Sequence, residues 1–277
     1  MLKILTLFLI LSLSSVISSG QSNLKQISDD IVAEGKMLYK SERASWLGTD
    51  IFLEEYNNKQ DVIGGYFSYK EDDGMKCIFY SNAKHPKVIG TFSFDSSFST
   101  ENTKIDNQER DFTKLEKEYY TLRKRTVKEV ERDTLFKNYK NTNLNLIPLI
   151  GKNERKVFII TGPQIDGVVI FGNDYLLNFD NKNRLLNKKQ LHNNIIITNY
   201  NEENNDSLKA IGAMHNHIFP TDDFITSTDI CTLMLYAEYA GWEKYIVVSK
   251  DYLSIWNCLR NSLIIVPKSE WNKMEED

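Results

Sequence analysis

The sequence predicts a mixed α/β fold of the α+β type, on three observations. Residues 24–39 carry apolar side chains at helical spacing, and residues 63–94 alternate apolar and polar positions with a period of two. Beyond residue 141, short apolar runs surround a single helical segment. Strands followed by a helix and further strands are typical of a mixed sheet packed against helices. We therefore expect a small N-terminal region and a larger C-terminal domain.

The first twenty residues have the composition of a secretory signal peptide. Lys3 supplies a positive charge, residues 4–13 are almost wholly apolar, and residues 14–20 are rich in small side chains. A membrane-spanning helix needs roughly 18 or more consecutive apolar residues, so this run is too short to be one. We expect cleavage near residues 18–20 and a secreted or periplasmic mature protein with no membrane span.

The N-terminal region, residues 21–104, should contain one helix and a small antiparallel sheet. The helix is expected over residues 24–39, ending near Lys40. The strands are expected at residues 50–54, 63–69, 76–80 and 88–94. Residues 96–107 are polar without an apolar period, which favours a linker.

Residues 105–140 follow as a long amphipathic helix or linker. Apolar side chains recur at three- and four-residue steps and predict a helix over residues 106–137.

The C-terminal domain, residues 141–277, combines several strands with one helix. The helix is expected to start at Asp229 and to run through residues 230–239. The strands are expected at residues 156–161, 167–171, 175–179, 193–198, 245–248 and 252–256, with a further strand leading into the histidines described below.

Charge and cysteine content limit the partners. The formal net charge is -4 with both signs interspersed, which offers no basic face for nucleic acid or an anionic membrane. Three cysteines are too few for a disulfide framework. Cys231 with Cys258 is the pair to test; alternatively, Cys77, Cys231 and Cys258 are all small buried apolar residues.

The candidate chemistry lies at His215 and His217. Two of the four histidines of the chain stand here, after an apolar run that reads as a strand. Side chains at i and i+2 share one face of a strand, so both imidazoles should lie side by side. Asp229 can direct a carboxylate towards them, and two histidines with one carboxylate form a three-ligand set that catalytic zinc uses. Alternatively, the histidines form hydrogen bonds in a polar cleft and Asp229 caps its helix.

The pattern His215, His217, Thr226 and Asp229 resembles the zinc signature of JAMM/MPN+ (JAB-like) metalloproteases. The resemblance covers about residues 152–258 and implies a mixed-sheet MPN-like domain. It implies that His215, His217 and Asp229 bind Zn²⁺, and that Thr226, or Ser227 if the turn is shifted by one residue, donates to the oxyanion. The chain differs from the family at Ile218, where the family has proline, in a spacer one residue longer, and in threonine at the hydroxyl position.

The family also uses a glutamate upstream as general base, and the resemblance points to Glu154 for this role. Asp174 is the second candidate carboxylate, although its setting after glycine and asparagine is typical of a turn. His192 is either an additional ligand, a group that supports a ligand, or a histidine at a strand edge. The lysines that precede it favour the strand edge.

Two functions follow. The first is a secreted zinc-dependent hydrolase that cleaves a peptide or isopeptide bond of a peptide or protein substrate. The second is a catalytically inactive MPN-like binding module that lacks the general base.

Overall fold

The computed structural model describes residues 2–56, 61–152, 154–200, 212–217 and 223–275, with side chains described within residues 23–273. The fold is mixed α/β with sheets rich in antiparallel pairs, as the sequence predicts. The helices are α1 (Leu2–Glu55), α2 (Lys114–Arg132), α3 (Ser227–Ala240) and α4 (Lys268–Glu275). The strands are β1 (Ile63–Glu71), β2 (Gly74–Ser81), β3 (Val88–Phe94), β4 (Lys104–Asp106), β5 (Thr142–Ile150), β6 (Arg155–Pro163), β7 (Val168–Gly172), β8 (Tyr175–Phe179), β9 (Leu185–Gln190), β10 (Ile195–Asn199), β11 (Gly212–Asn216), β12 (Lys244–Val248), β13 (Tyr252–Asn257) and β14 (Ser262–Pro267).

Helix α1 is longer than the sequence pattern indicates. It continues past Lys40 to Glu55, so the predicted helix end is wrong, and the predicted strand at residues 50–54 is also wrong. The cause is close packing: the Ser45 and Ser68 hydroxyls lie 2.8 Å apart, and a side chain at Gly48 would press on Cys77. Small residues at these positions allow the sheet to approach the helix.

The N-terminal sheet has the order β1-β2-β3-β4 and is antiparallel throughout. One face packs on α1 through a cluster that includes Phe52, Phe79 and Phe92. The other face packs on α2 through Phe67 and Tyr119. The segment expected to be a linker therefore contributes a strand, because β4 pairs with β3.

Helix α2 is shorter than its predicted range of 106–137. Thr113 is its N-cap, and Thr113 with Glu116 forms a capping box, which fixes the start of the helix at Lys114. Its buried face joins a cluster with Val157, Ile159 and Leu177. The helix therefore connects the N-terminal sheet to the next one.

The C-terminal region contains a sheet of order β5-β6-β8-β9, the antiparallel pair β7–β10, and a sheet of order β11-β12-β13-β14. Strands β11 and β12 are parallel, whereas the other pairs are antiparallel. A parallel pair needs a crossover connection, and α3 lies between the two strands in the chain. The core beside α3 includes Phe171, Ile230 and Trp256.

Two further expectations bear on the whole chain. Cys231 and Cys258 are free, so the candidate disulfide is not formed. Cys77 and Cys231 are buried, as the alternative expects, and Cys258 is partly buried. Within the described residues, none of the helices has both the length and the apolar content needed to cross a membrane.

Candidate metal centre

His215 and His217 lie on the buried side of β11 and of the residue that follows it. Met214 and Asn216 are exposed, whereas His215 and His217 are buried, so the predicted alternation is confirmed. The backbone N–H of His217 donates to the Val248 carbonyl at 2.8 Å, which extends the β12 pairing past the end of β11. Both imidazoles are thus carried by backbone that a neighbouring strand holds in place.

Asp229 lies in the first turn of α3, two residues after the helix begins at Ser227. The predicted start at Asp229 is therefore wrong: Thr226 is the N-cap and Asp229 is the third helical residue of a capping box. The Thr226 backbone N–H and hydroxyl both donate to Asp229 Oδ2 at 2.9 Å. These bonds leave the other oxygen, Oδ1, directed towards the histidines.

His192 comes from the loop between β9 and β10, and it is buried rather than at an exposed strand edge. The prediction that His192 is a strand-edge histidine, which the neighbouring lysines favoured, is therefore wrong. In the β7–β10 pair Gly172 lies opposite Ile195, which brings the residues after Gly172 next to those before Ile195. Asp174 and His192 meet at this junction, where His192 Nδ1 lies 2.7 Å from Asp174 Oδ1.

The turn that carries Asp174 has unusual backbone geometry. Gly172 and Asn173 have φ of 76° and 50°, and a Cβ at Gly172 would overlap the Asn194 carbonyl oxygen, so glycine is required there. The side-chain NH₂ of Asn173 donates to the Lys137 backbone carbonyl and the Thr161 hydroxyl, and its side-chain oxygen accepts from the Tyr175 hydroxyl. Asp174 therefore sits on a rigid, buried turn.

Four donor atoms converge on one point. His192, His215, His217 and Asp229 each present one ligand atom, and these atoms all lie within 4.8 Å of one another. The Nε2 atom of His217 is 2.9 Å from that of His192 and 3.0 Å from that of His215. Asp229 Oδ1 is 3.3 Å from His192 Nε2 and 3.9 Å from His215 Nε2. All four residues are buried.

This donor set fits a cation. Tetrahedral ligands at zinc bond lengths stand about 3.3 Å apart, and the four distances given above lie between 2.9 and 3.9 Å. Within the described part of the chain, buried Asp229 Oδ1 has no hydrogen-bond partner. An unsatisfied buried carboxylate oxygen is costly, and a metal ion at the centre of the cluster would satisfy it. The group can therefore hold a metal ion.

Two of the histidines are oriented through Nδ1. His192 Nδ1 faces Asp174, and His215 Nδ1 lies 3.1 Å from the Tyr245 hydroxyl. In metal sites, ligating histidines almost always direct the other ring nitrogen to such a partner, which fixes the tautomer and the ring orientation. Both Nε2 atoms are thereby directed to the centre of the cluster.

The charges within the cluster support one another. Burial lowers the pKa of His192, but the carboxylates of Asp174 and Asp229 outweigh this effect and hold it well above the usual range. Burial raises the pKa of Asp229, yet His192 and His215 outweigh it and hold that pKa well below normal. Burial lowers the pKa of His215 to about 4, so this ring is neutral at pH 7, as a ligand must be. The raised pKa of His192 means that this ring carries the extra proton in the metal-free cluster, and a bound metal ion would have to displace it.

The three hydroxyls of residues 226–228 all make hydrogen bonds within the protein, and those of Thr226 and Thr228 lie 2.8 Å from each other. Thr226 donates to Asp229, and Ser227 donates to Glu34 of α1 at 2.8 Å. Thr228 donates to Asp174 Oδ2. The two hydroxyls expected to stabilise an oxyanion, those of Thr226 and Ser227, are therefore both engaged in bonds within the protein.

Glu154 lies outside the cluster. It precedes β6 and its side chain is 65% exposed, with a carboxylate oxygen 3.3 Å from Lys156 Nζ. Among the described residues, it is not part of the group that converges on the cation site.

The sequence left the role of His192 open, with an additional ligand among the alternatives, and gave no reason to pair it with Asp174. Their contact depends on the β7–β10 register, which local patterns do not reveal. Composition gives one indication that His192 belongs to the site: the chain has four histidines, and three of them are in the cluster.

No protein-family model, curated protein or solved structure matches this chain.

Proposed function

We propose that this protein is a zinc-binding module in which His192, His215, His217 and Asp229 hold the ion as a closed, four-ligand centre. The convergence of four buried protein donors carries this proposal. Structural zinc sites are almost always four-coordinate with protein ligands only, whereas catalytic sites keep one position for water. Imidazole and carboxylate donors suit Zn²⁺ and also other transition metals. The identity of the metal as zinc is therefore itself proposed.

The same cluster supports the MPN-like assignment in a modified form. His215 and His217 lie on and just after strand β11, Asp229 lies on helix α3, and strand β12 follows, which is the order of elements in the JAMM arrangement. His192 adds a donor that this arrangement lacks. Glu154 is exposed and paired with Lys156. The inactive module therefore accounts for these contacts better than the hydrolase does.

The zinc ion would join three segments that are separated in sequence. The donors come from the β9–β10 loop, from β11 and the residue after it, and from the first turn of α3. Because the unfolded chain holds no preformed site, the binding free energy contributes to folding. We further propose that the module is exported, on the composition of residues 1–20.

Metal analysis of the purified protein tests the centre. We expect about one zinc per chain in the wild type and loss of metal in His215→Ala and Asp229→Asn. His85→Ala is the matched control, because His85 is exposed and is the histidine outside the cluster. Wild-type protein that takes up no divalent metal on reconstitution would rule the centre out.

A JAMM-type hydrolase is the second candidate, favoured by one observation. His192 is an imidazole held by a carboxylate, and such a pair can act as a general base. When bound, Zn²⁺ would polarise a carbonyl and lower the pKa of water to about 7. In that case the other three donors would hold the ion, and His192 would accept a proton at Nε2 only after the charge of the ion had displaced the proton that the ring carries in the metal-free cluster.

Peptide hydrolysis separates the two functions. A zinc-loaded sample is incubated with a library of peptides, and cleavage is followed by mass spectrometry. Cleavage that is lost in His215→Ala and retained in His85→Ala would establish the hydrolase, and Glu154→Gln would then show whether Glu154 takes part. The closed module predicts zinc binding without cleavage.

A further inference from the structure

Thr228, Asp174 and His192 form a continuous chain of buried hydrogen bonds that ends at the proposed zinc centre. The Thr228 hydroxyl donates to Asp174 Oδ2, and Asp174 Oδ1 lies 2.7 Å from His192 Nδ1. All three residues are at most 4% exposed. The chain links the first turn of α3 to the β7–β8 turn and then to the β9–β10 loop.

From this chain we infer that Asp174 is the positioning residue that makes His192 a metal ligand, and that Thr228 sets the orientation of Asp174. The inference rests on the proposed zinc centre. It concerns two residues, Asp174 and Thr228, that bring no donor atom of their own to the centre.

The chemistry of the imidazole explains why His192 needs this partner. A neutral ring carries its proton on one nitrogen and can ligate only through the other. Because Asp174 accepts from Nδ1, one proton stays there, and once a metal ion displaces the Nε2 proton, the freed lone pair is directed to the centre between His217 and Asp229. Without the carboxylate, the ring can adopt the other tautomer or rotate away from the centre.

Thr228 fixes the orientation of the Asp174 carboxylate. A carboxylate on a single bond can rotate, but the hydroxyl holds Oδ2 and thereby directs Oδ1 at His192. The Leu191 backbone N–H also donates to the Asp174 carbonyl at 2.9 Å, so the loop that carries His192 is attached to the same residue. His192 is therefore fixed by both its main chain and its ring.

Position 228 offers a matched pair of substitutions. Thr228→Val preserves the shape of the side chain and removes the hydroxyl, whereas Thr228→Ser preserves the hydroxyl. Asp174→Asn removes the charge while keeping an acceptor for Nδ1. Asp166→Asn, at an exposed aspartate of the same region, is the control.

The readouts are zinc affinity, by competition with a chromophoric chelator, and the visible spectrum of the Co²⁺-substituted protein, which reports coordination number. Loss of a supporting partner typically weakens metal affinity 10- to 100-fold. We expect this loss, with a weaker cobalt spectrum, in Thr228→Val and Asp174→Asn. Wild-type behaviour is expected in Thr228→Ser and Asp166→Asn.

A third readout needs no metal. A Nδ1 proton donated to a buried carboxylate gives a far-downfield, slowly exchanging resonance, which we expect in metal-free wild type and in Thr228→Ser, and expect to be shifted or lost in Thr228→Val. If the wild type binds zinc and folded Thr228→Val binds it equally well with an unchanged cobalt spectrum, the positioning role is disproved. If the wild type binds no zinc, the proposed function fails, and the proton resonance still decides whether Thr228 and Asp174 orient His192.

Discussion

Gly35 of α1 lies directly against Ile230 of α3. A Cβ placed on Gly35 would come 2.7 Å from both Cβ and Cγ2 of Ile230 and 3.1 Å from the Ser227 carbonyl oxygen. Real Cβ atoms do not approach carbon this closely, so the two helices can meet only where one of them has no side chain. The contact lies one residue from Glu34, whose carboxylate accepts from Ser227. The position of α3, and with it that of Asp229, therefore depends on a glycine in α1.

Gly35→Ala is expected to destabilise the protein although alanine is the better helix former. In an open helix position the exchange would stabilise by about 1 kcal/mol. Here the overlap with Ile230 should dominate, at about 1–3 kcal/mol. Urea unfolding of the wild type and of Gly35→Ala measures whether the substitution lowers or raises the free energy of unfolding. Gly241→Ala is the comparison, since its Cβ would meet nothing within 4 Å and only the φ of 69° opposes it; an increase in stability for Gly35→Ala would contradict the packing described.

Removal of metal should lower the melting temperature. A ligand present at a thousandfold excess over its Kd stabilises the native state by about 4 kcal/mol, which corresponds to roughly 10 °C for a chain of this size. Differential scanning calorimetry with and without a chelator measures this shift. His215→Ala should melt at the same temperature in both conditions, whereas His85→Ala should behave as the wild type does.

Glu42→Gln is expected to stabilise the protein at and above neutral pH. Burial raises the pKa of Glu42 to about 7, although the Asn145 amide donates to its carboxylate. A raised pKa means that the stability present below about 4.5 is lost as the pH rises through 7. The ionised group should then cost about 3 kcal/mol, which glutamine avoids. Urea unfolding between pH 4 and 8 measures the effect, with the exposed Glu101→Gln as control; parallel wild-type and Glu42→Gln curves would disprove it.

Glu116 should affect stability in the opposite direction: its ionised carboxylate stabilises the protein, and this contribution is lost in acid. Burial raises its pKa, but two hydrogen bonds from Arg110 at 2.7 Å, together with Thr113 and Tyr69, lower it to about 2. A depressed pKa gives stability that is present above about 4.5 and lost as the pH falls towards 2.

Glu116→Gln should therefore cost about 3 kcal/mol at pH 7, since it leaves Arg110 without its partner. The cost should shrink between pH 4.5 and pH 2. Acid titration of stability, with exposed Glu131→Gln alongside, measures the difference; an equal cost at pH 7 and pH 2.5 would show that the carboxylate charge is not responsible.

The strands were predictable because their alternating pattern reflects which face is buried. Residues 63–69, 76–80 and 88–94 lie within β1, β2 and β3, and the burial of His215 and His217 follows the same rule. The extent of α1 was not predictable, because Ser45 and Gly48 weaken a helix locally and are tolerated only through contact with the sheet. Strands β5, β9 and β14 were missed because only part of each is buried, which leaves a weak alternation.

Within the site, the HxH pair and Asp229 follow from local spacing, whereas His192 and Asp174 do not. Their meeting requires the antiparallel register of β7 and β10, which is set by distant contacts. Thr226 lies next to the cluster, but its hydroxyl is engaged with Asp229 rather than free to donate to an oxyanion.

The length of α1 determines how the protein can be dissected. Its side chains contribute to the cluster against the N-terminal sheet, to the cluster with Phe158 and Leu235, and to the packing around Ile230. Any fragment that begins after Glu55 would expose apolar surface in three places at once. Expression trials on the C-terminal half should therefore carry α1 along, and a helix supplied as a separate peptide offers a way to reassemble the two pieces.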